Sequence, residues 1–272
     1  MELNAHDGLA QAELWPDVLS FHGRTYDHAD AATAILSRET PKPIGIRIQG
    51  LRPGDVKVAK NGLIRFNSEV SPEQQIAWAL NVPRDPEFDE EDDGIILKDE
   101  NDRKNYLHYR PDLEKLLLAL RGITPTRWQR EWFAACNRIR TACVTHLIGL
   151  ARQMDVVRPG YGFEERVTDY SDQHVVRVLN YVPREGIIAK PHTDRCAITF
   201  HLAESAPGLC AYNVYERRPY ATPKTPCALC FSGQQLERVT RGAVPAVYHE
   251  VENNTPGRMR WALVFFGKMR PK

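Results

Sequence analysis

No stretch of the 272 residues approaches the roughly 20 consecutive apolar side chains that a membrane-spanning helix needs. Nor does the chain carry a surplus of either charge: 36 Lys and Arg stand against 35 Asp and Glu, so it offers no electrostatic footprint for duplex nucleic acid. The alternation of aromatic and basic side chains that grips single strands is also missing. Residues Met1 to Ala12 include Glu2 and Asp7 and lack both the basic region and the apolar run of a secretory signal. These absences predict a soluble, cytoplasmic protein with no membrane and no nucleic-acid partner. Its six cysteines (Cys136, Cys143, Cys196, Cys210, Cys227 and Cys230) are then expected as reduced thiols. Cys227-x-x-Cys230 has no second such pair to complete a zinc site, and in a strand its two thiols face opposite ways.

A chain of this length buries roughly three quarters of its unfolded surface and suits one domain or two. The simplest division is an N-terminal strand and helix region, 1–110, packing on a barrel domain, 111–272. Between 43 and 70 the pattern reads as strands: Ile44, Ile46 and Ile48, then Val56 and Val58, then Leu63, Ile64 and Phe66, with turns at Pro53-Gly54 and Asn61-Gly62. Ser71 and Pro72 then open a helix that would place Ile76, Ala77 and Leu80 on one face. The acidic run 85–93 reads as a solvated loop, with a lid as the sharper alternative. Residues 111–120 form a leucine-rich helix. Thr124-Pro125 opens a longer one to about Met154, with Trp132, Cys136, Ile139, Cys143, Leu147, Leu150 and Met154 at spacings of three and four. His146 lies beside that stripe and reads as a structural histidine. From His174 on, short strands separated by turn signals suit an antiparallel jelly roll, making the fold class mixed α+β.

The chemistry centres on His192-Thr193-Asp194 with His249 downstream. Alternate side chains of a strand share a face, so His192 and Asp194 can bind one ion while Thr193 points away. Two imidazoles and a carboxylate on one side of an octahedral ion form the facial triad of non-haem Fe(II), with open positions. Such a site, at about +1 overall, suits a bidentate anionic co-substrate and then O₂. The far end of that anion needs a cation. Arg258 and Arg260 alternate onto one face of the closing strand, and either could make paired hydrogen bonds to a carboxylate.

The order Leu179-Asn180-Tyr181-Val182-Pro183, His192-Thr193-Asp194, Ile198-Thr199-Phe200, Pro207-Gly208-Leu209, Gly233 to Leu236 with Thr240 and Gly242, His249, and Arg260 ahead of Phe265-Phe266 resembles the Fe(II)/2-oxoglutarate-dependent oxygenases. The likeness is to the group of isopenicillin N synthase, anthocyanidin synthase and plant aminocyclopropane carboxylate oxidase, and it covers about residues 174 to 270. The resemblance implies a double-stranded β-helix (jelly-roll, cupin-like) barrel with supporting helices. It also implies Fe(II) on His192, Asp194 and His249, and the 2-oxoglutarate C5 carboxylate on Arg260. Pro207-Gly208-Leu209 corresponds to a Gly-Gly-Leu turn and Gly233 to Leu236 to a penultimate hairpin. Where the family has a serine two residues after the arginine, this chain has Ala262, which removes one hydrogen bond; Tyr181 is the nearest candidate to supply a hydroxyl. Asn180 is a further co-substrate candidate, and Arg195, Thr199 and His201 are substrate candidates. Arg217 and Arg218, in an insertion near the mouth, could read an acidic group or be solvated.

The implied reaction is oxidation of a substrate C–H bond, by hydroxylation, desaturation or cyclisation, with release of succinate and CO₂. A small-molecule metabolite is the expected partner. The alternatives are a peptide or nucleobase hydroxylase of the same chemistry, or a cupin-like metal-binding barrel with no redox turnover. The sequence does not choose an oligomeric state.

Overall fold

The structure is a computed structural model and describes residues 25–37, 42–80, 82, 93–97, 104–183, 186–212, 217–253 and 257–271. The chain opens with helix α1 (His28–Leu36), strand β1 (Ile44–Arg47), helices α2 (Pro53–Glu69) and α3 (Pro72–Ile76), and strands β2 (Ala79–Leu80), β3 (Asp93–Leu97) and β4 (Lys104–Tyr109). Helices α4 (Leu113–Arg121), α5 (Arg127–Val157) and α6 (Phe163–Asp169) follow. Then come β5 (Val175–Tyr181), β6 (Gly186–His192), β7 (Ile198–Glu204), β8 (Leu209–Tyr212), β9 (Arg217–Tyr220), β10 (Cys227–Ser232), helix α7 (Gln234–Val239), β11 (Tyr248–Asn253) and β12 (Arg260–Gly267).

The strands form two antiparallel sheets, ordered β1-β10-β7-β12-β5-β4-β3-β2 and β6-β11-β8-β9. This is the expected double-stranded β-helix layout with supporting helices. The N-terminal strands complete the major sheet: β1 joins β10, and β4 lies against β5 through six residue pairs from Lys104↔Tyr181 to Tyr109↔Val176. Period two divides the major sheet cleanly. Val176 and Val178 of β5 join the core under the helices, while Leu179 and Tyr181 join the cluster facing the minor sheet.

Helix α5 backs the first of these faces. Trp132, Cys136, Ile139, Cys143, Leu147, Leu150 and Met154 are all buried, as their spacing predicts, and a Thr126–Gln129 capping box starts the helix. Beside the stripe, His146 Nε2 accepts from Gln49 N at 2.7 Å and Nδ1 meets His28 Nε2 at 2.9 Å, so it is a satisfied structural histidine. All six cysteines are free thiols. Among the described residues no helix is long and apolar enough to cross a membrane.

The structure corrects the reading of 43–70. Only Ile44–Arg47 is a strand; Pro53–Glu69 is a helix with Pro in its first turn and Val56, Ala59, Leu63 and Phe66 buried at helical spacing. Asn61-Gly62 is therefore not a turn. A Cβ on Gly62 would overlap Trp132 Cγ, so the glycine is there to let the indole in, and Trp132 Nε1 donates to Ala59 O at 2.9 Å. Gly62→Ala is expected to destabilise the fold by about 1–3 kcal/mol through overpacking, outweighing the roughly 1 kcal/mol of helix propensity that alanine adds. A urea midpoint that rises in this variant would contradict that balance. The helix after Ser71 is present with its capping box, but it is short and leaves Ile76 64% exposed. Residues 85–92 of the acidic run lie outside the described residues.

His174, just before β5, is fully buried; its Nδ1 accepts from Lys268 N at 3.0 Å. Burial, with Arg140 and Lys268 nearby, pushes its pKa from 6.5 down to about 3. The unfolded chain therefore binds a proton that the folded one refuses, so stability is complete above pH 6.5 and declines as pH falls toward about 3. Urea midpoints measured downward from neutral pH should fall; a flat or rising profile to about pH 5 would contradict this assignment.

Candidate metal centre and co-substrate pocket

Strands β6 and β11 are neighbours in the minor sheet, and their register sets His249 directly opposite His192. The loop after β6 turns Asp194 toward both. His192 Nε2 and His249 Nε2 lie 3.8 Å and 3.9 Å from Asp194 Oδ1, and the three ligand atoms sit within 4.8 Å of one another. In each imidazole Nδ1 faces a backbone carbonyl, Lys190 O at 2.7 Å and Val247 O at 3.0 Å. A carbonyl only accepts, so Nδ1 carries the proton and Nε2 presents its lone pair to the metal position. Burial, then the charge of His249, holds the His192 pKa below its usual value, which favours the neutral ligand form.

Asp194 is oriented just as firmly. Its Oδ2 accepts from the Thr199 hydroxyl at 2.5 Å, leaving Oδ1 to the metal side. Burial raises its pKa, but the two imidazoles and Thr199 outweigh this and hold the carboxyl below its ordinary range. The backbone is pinned too: Gln234 N donates to Asp194 O at 2.8 Å, Gln235 N to Cys196 O at 3.0 Å, and Gln234 Nε2 to Thr193 Oγ1 at 2.7 Å. Thus Gly233 begins helix α7 rather than a hairpin. It must be glycine, because a Cβ there would overlap Cys196 O and lie 2.8 Å from Asp194 O.

The triad lies in a cavity between the two sheets. Its major-sheet wall is the alternating face Arg260, Ala262, Val264 and Phe266 of β12 beside Tyr181, Leu179 and Arg177 of β5. Arg260 is 1% exposed; its Nε donates to Ala206 O at 3.2 Å and its Nη2 pairs with the buried Glu204 carboxylate. Nη1 is buried with no hydrogen-bond partner. The glutamate partner, which the sequence did not reveal, takes part of the fork expected for the co-substrate.

Other candidates are placed as follows. Thr199 and His201 line the cavity, as their shared face on β7 implies, but Thr199 serves Asp194. His201 Nδ1 meets Thr222 Oγ1 at 3.2 Å, and burial, opposed by Glu204, pushes its pKa down to about 4. Tyr181 lines the cavity with its ring 5.5 Å from the Arg260 guanidinium, and Ala262 lines it without a polar atom. Asn180 does not reach the cavity. It alternates with Leu179 and Tyr181 onto the helix-covered face, where it is 3% exposed and its side-chain amide has no partner. Arg195 is exposed and outside the cavity lining. Arg258 is also exposed, since β12 begins only at Arg260. Arg217 is an ion-pair partner of Glu250, at 2.6 Å, and of Glu252.

Two charged cavity residues escaped the sequence reading, Lys104 and Arg177. Period two from Tyr181 would have put Arg177 on the cavity face; Lys104 arrives through a strand pairing too distant in sequence to foresee.

A set of two imidazole nitrogens and one carboxylate oxygen fits Fe(II) with open positions. An unpartnered buried guanidinium N–H in the same cavity fits an anionic co-substrate. Residues 173–268 match the family model of the 2OG-Fe(II) oxygenase superfamily. No curated protein matches the chain. Solved structures similar to it include a full-length Neurospora crassa protein in complex with alpha-KG and 5-formyluracil (TM-score 0.65, 17% identity, 89% of this chain and 79% of that one). They also include the dioxygenase for auxin oxidation 1 of Arabidopsis thaliana with 2-oxoglutarate (TM-score 0.66, 14% identity, 92% and 91%). A third is JOX2 in complex with 2OG, Fe and JA (TM-score 0.63, 16% identity, 90% and 74%).

Proposed function

We propose that this chain, whose residues 173–268 match the 2OG-Fe(II) oxygenase superfamily, is an Fe(II)- and 2-oxoglutarate-dependent dioxygenase that oxidises a C–H bond of a small-molecule metabolite. The observation that carries the reading is the juxtaposition of the His192–Asp194–His249 cluster with the unpartnered Arg260 Nη1 in one cavity. A purely structural metal site accounts for the Arg260–Glu204 pair but leaves Nη1 unused, and burying a guanidinium N–H without a partner is costly.

His192 and His249 would hold Fe(II) through Nε2 and Asp194 through Oδ1, while Arg260 would bind the C5 carboxylate of 2-oxoglutarate. When bound, the metal, the 2-oxo acid and O₂ together supply the oxidising power, with succinate and CO₂ as by-products. The chain supplies position and shielding. Lys190 O and Val247 O fix the imidazole tautomers, Thr199 fixes the carboxylate, and Leu179, Phe231, Val251, Val264 and Phe266 exclude water. Small-molecule selectivity is supported by the position of the site, in a cleft between the two sheets with a largely apolar lining. It is supported also by JA, the ligand named for one of the similar structures.

The test is succinate formation under air. We expect it to require both Fe(II) and 2-oxoglutarate, to rise with substrate, and to stop on chelation of the metal. Absence of succinate, alone and with a broad panel of small metabolites, would overturn the assignment in favour of a non-redox metal-binding barrel.

A further inference from the structure

The cavity lining is basic beyond the grip on the co-substrate. It includes three cations, Lys104, Arg177 and Arg260, against one acid, Asp194. Arg260 is matched from behind by Glu204, and Asp194 belongs to the metal. Arg177 and Lys104 stand in the lining beside the co-substrate grip, and a guanidinium presented to a ligand pocket is suited to pairing with a planar anion. Where that anion would sit follows from the position of Arg177.

Across β4 and β5 the register pairs Lys104 with Tyr181, Tyr106 with Leu179 and His108 with Arg177, and directly opposed residues of an antiparallel pair share a face. The basic pair therefore stands on the same face as Tyr181, with Arg177 opposite Val264 of β12 on its other side. Its Nε donates to His108 Nε2, and its guanidinium lies 4.4 Å from the centre of the Phe266 ring and 4.7 Å from that of Tyr106. A guanidinium held by two rings and an imidazole is ordered before any ligand arrives, which lowers the entropy lost on binding. The walls around it, Leu179, Val264 and Phe266 among them, are apolar.

We infer that Arg177, assisted by Lys104, recognises an anionic group on the primary substrate, so that the metabolite oxidised here is a small carboxylic acid with an apolar body. This rests on the oxygenase reading above but names a different subsite from the co-substrate grip of Arg260.

The test uses the full chain, loaded anaerobically with Fe(II) and 2-oxoglutarate, and two fluorinated probes: 4-(trifluoromethyl)phenylacetate and its primary amide. Binding is followed by fluorine NMR. The acid is expected to bind about ten-fold or more tightly than the isosteric amide, the size of one charge-assisted hydrogen bond. Arg177→Gln should reduce that preference to about two-fold, Arg177→Lys should keep part of it, and Lys104→Gln should weaken it to a smaller extent. Equal binding of acid and amide to the wild-type protein overturns the proposal, whatever the variants do. So does an Arg177→Gln protein that keeps the acid preference while its 2-oxoglutarate midpoint rises, because Arg177 then serves the co-substrate. Failure of the oxygenase reading would show elsewhere, as absence of succinate formation by the wild-type enzyme under air.

Discussion

Arg260→Ala is expected to raise the 2-oxoglutarate requirement by roughly thirty- to several-thousand-fold, the equivalent of about 2–5 kcal/mol for truncating one partner of a buried charge pair. Iron binding should survive, because Arg260 lies on β12 of the major sheet and none of the three metal ligands does. The Glu204 pair adds a second effect. Removing the guanidinium strands a carboxylate that is itself 5% exposed, and breaking a buried pair in this way costs about 3–5 kcal/mol of stability. The double variant Arg260→Ala/Glu204→Ala should regain much of that stability while remaining unable to hold 2-oxoglutarate. Arg258→Ala should change the requirement little, since Arg258 is exposed and precedes the strand. Urea midpoints and anaerobic 2-oxoglutarate titrations of the three variants separate the two effects. A double variant that binds co-substrate like the wild type would show that Arg260 only neutralises Glu204.

His249→Ala should abolish turnover. His249 is 4% exposed and lies opposite His192, and its loss leaves Asp194 and a half-exposed His192 as a two-ligand site. Changing a group that only orients a ligand typically costs about 10–100-fold in metal affinity, so loss of a ligand itself should exceed about 100-fold. His201 is the only other histidine among the described lining residues, but its Nδ1 is engaged with Thr222 and its Nε2 faces Glu204 at 4.0 Å. Metal content after gel filtration checks this directly. Stoichiometric iron in His249→Ala, with loss of iron in His201→Ala, would reassign the third ligand.

The His192–Asp194–His249 cluster was legible because a local pattern, His192-Thr193-Asp194, joins the spacing from His249 and Arg260 to Phe265-Phe266, although alternation itself stops at His192, where β6 ends, and the loop after it brings Asp194 round. The long helix was legible for the same reason: its buried stripe repeats at three and four residues over many turns. Alternation misled where short apolar runs fit both periods. Val56, Ala59, Leu63 and Phe66 are helical in spacing, but Asn61-Gly62 carried a turn signal whose real cause is the Trp132 indole packed against the helix. Asn180 shows a different limit. Its grouping with Val176 and Val178 holds, yet which face of β5 meets the helices depends on α5 and the strand partners, which lie far away in sequence. Glu204 and Lys104 belong to the same class. Lys104 reaches the pocket through the β4–β5 register and Glu204 reaches Arg260 through tertiary pairing, and nothing adjacent in the chain marks either.

In the proposed function one cavity holds Fe(II) on His192, Asp194 and His249 and 2-oxoglutarate against Arg260. Its most direct test is an anaerobic absorbance titration that follows the charge-transfer band of a 2-oxo acid chelated to Fe(II). The band should appear in the wild-type protein only when both are present, be absent in His249→Ala, and develop in Arg260→Ala only at much higher 2-oxoglutarate. A wild-type protein that binds stoichiometric Fe(II) yet shows no band at saturating 2-oxoglutarate would contradict it.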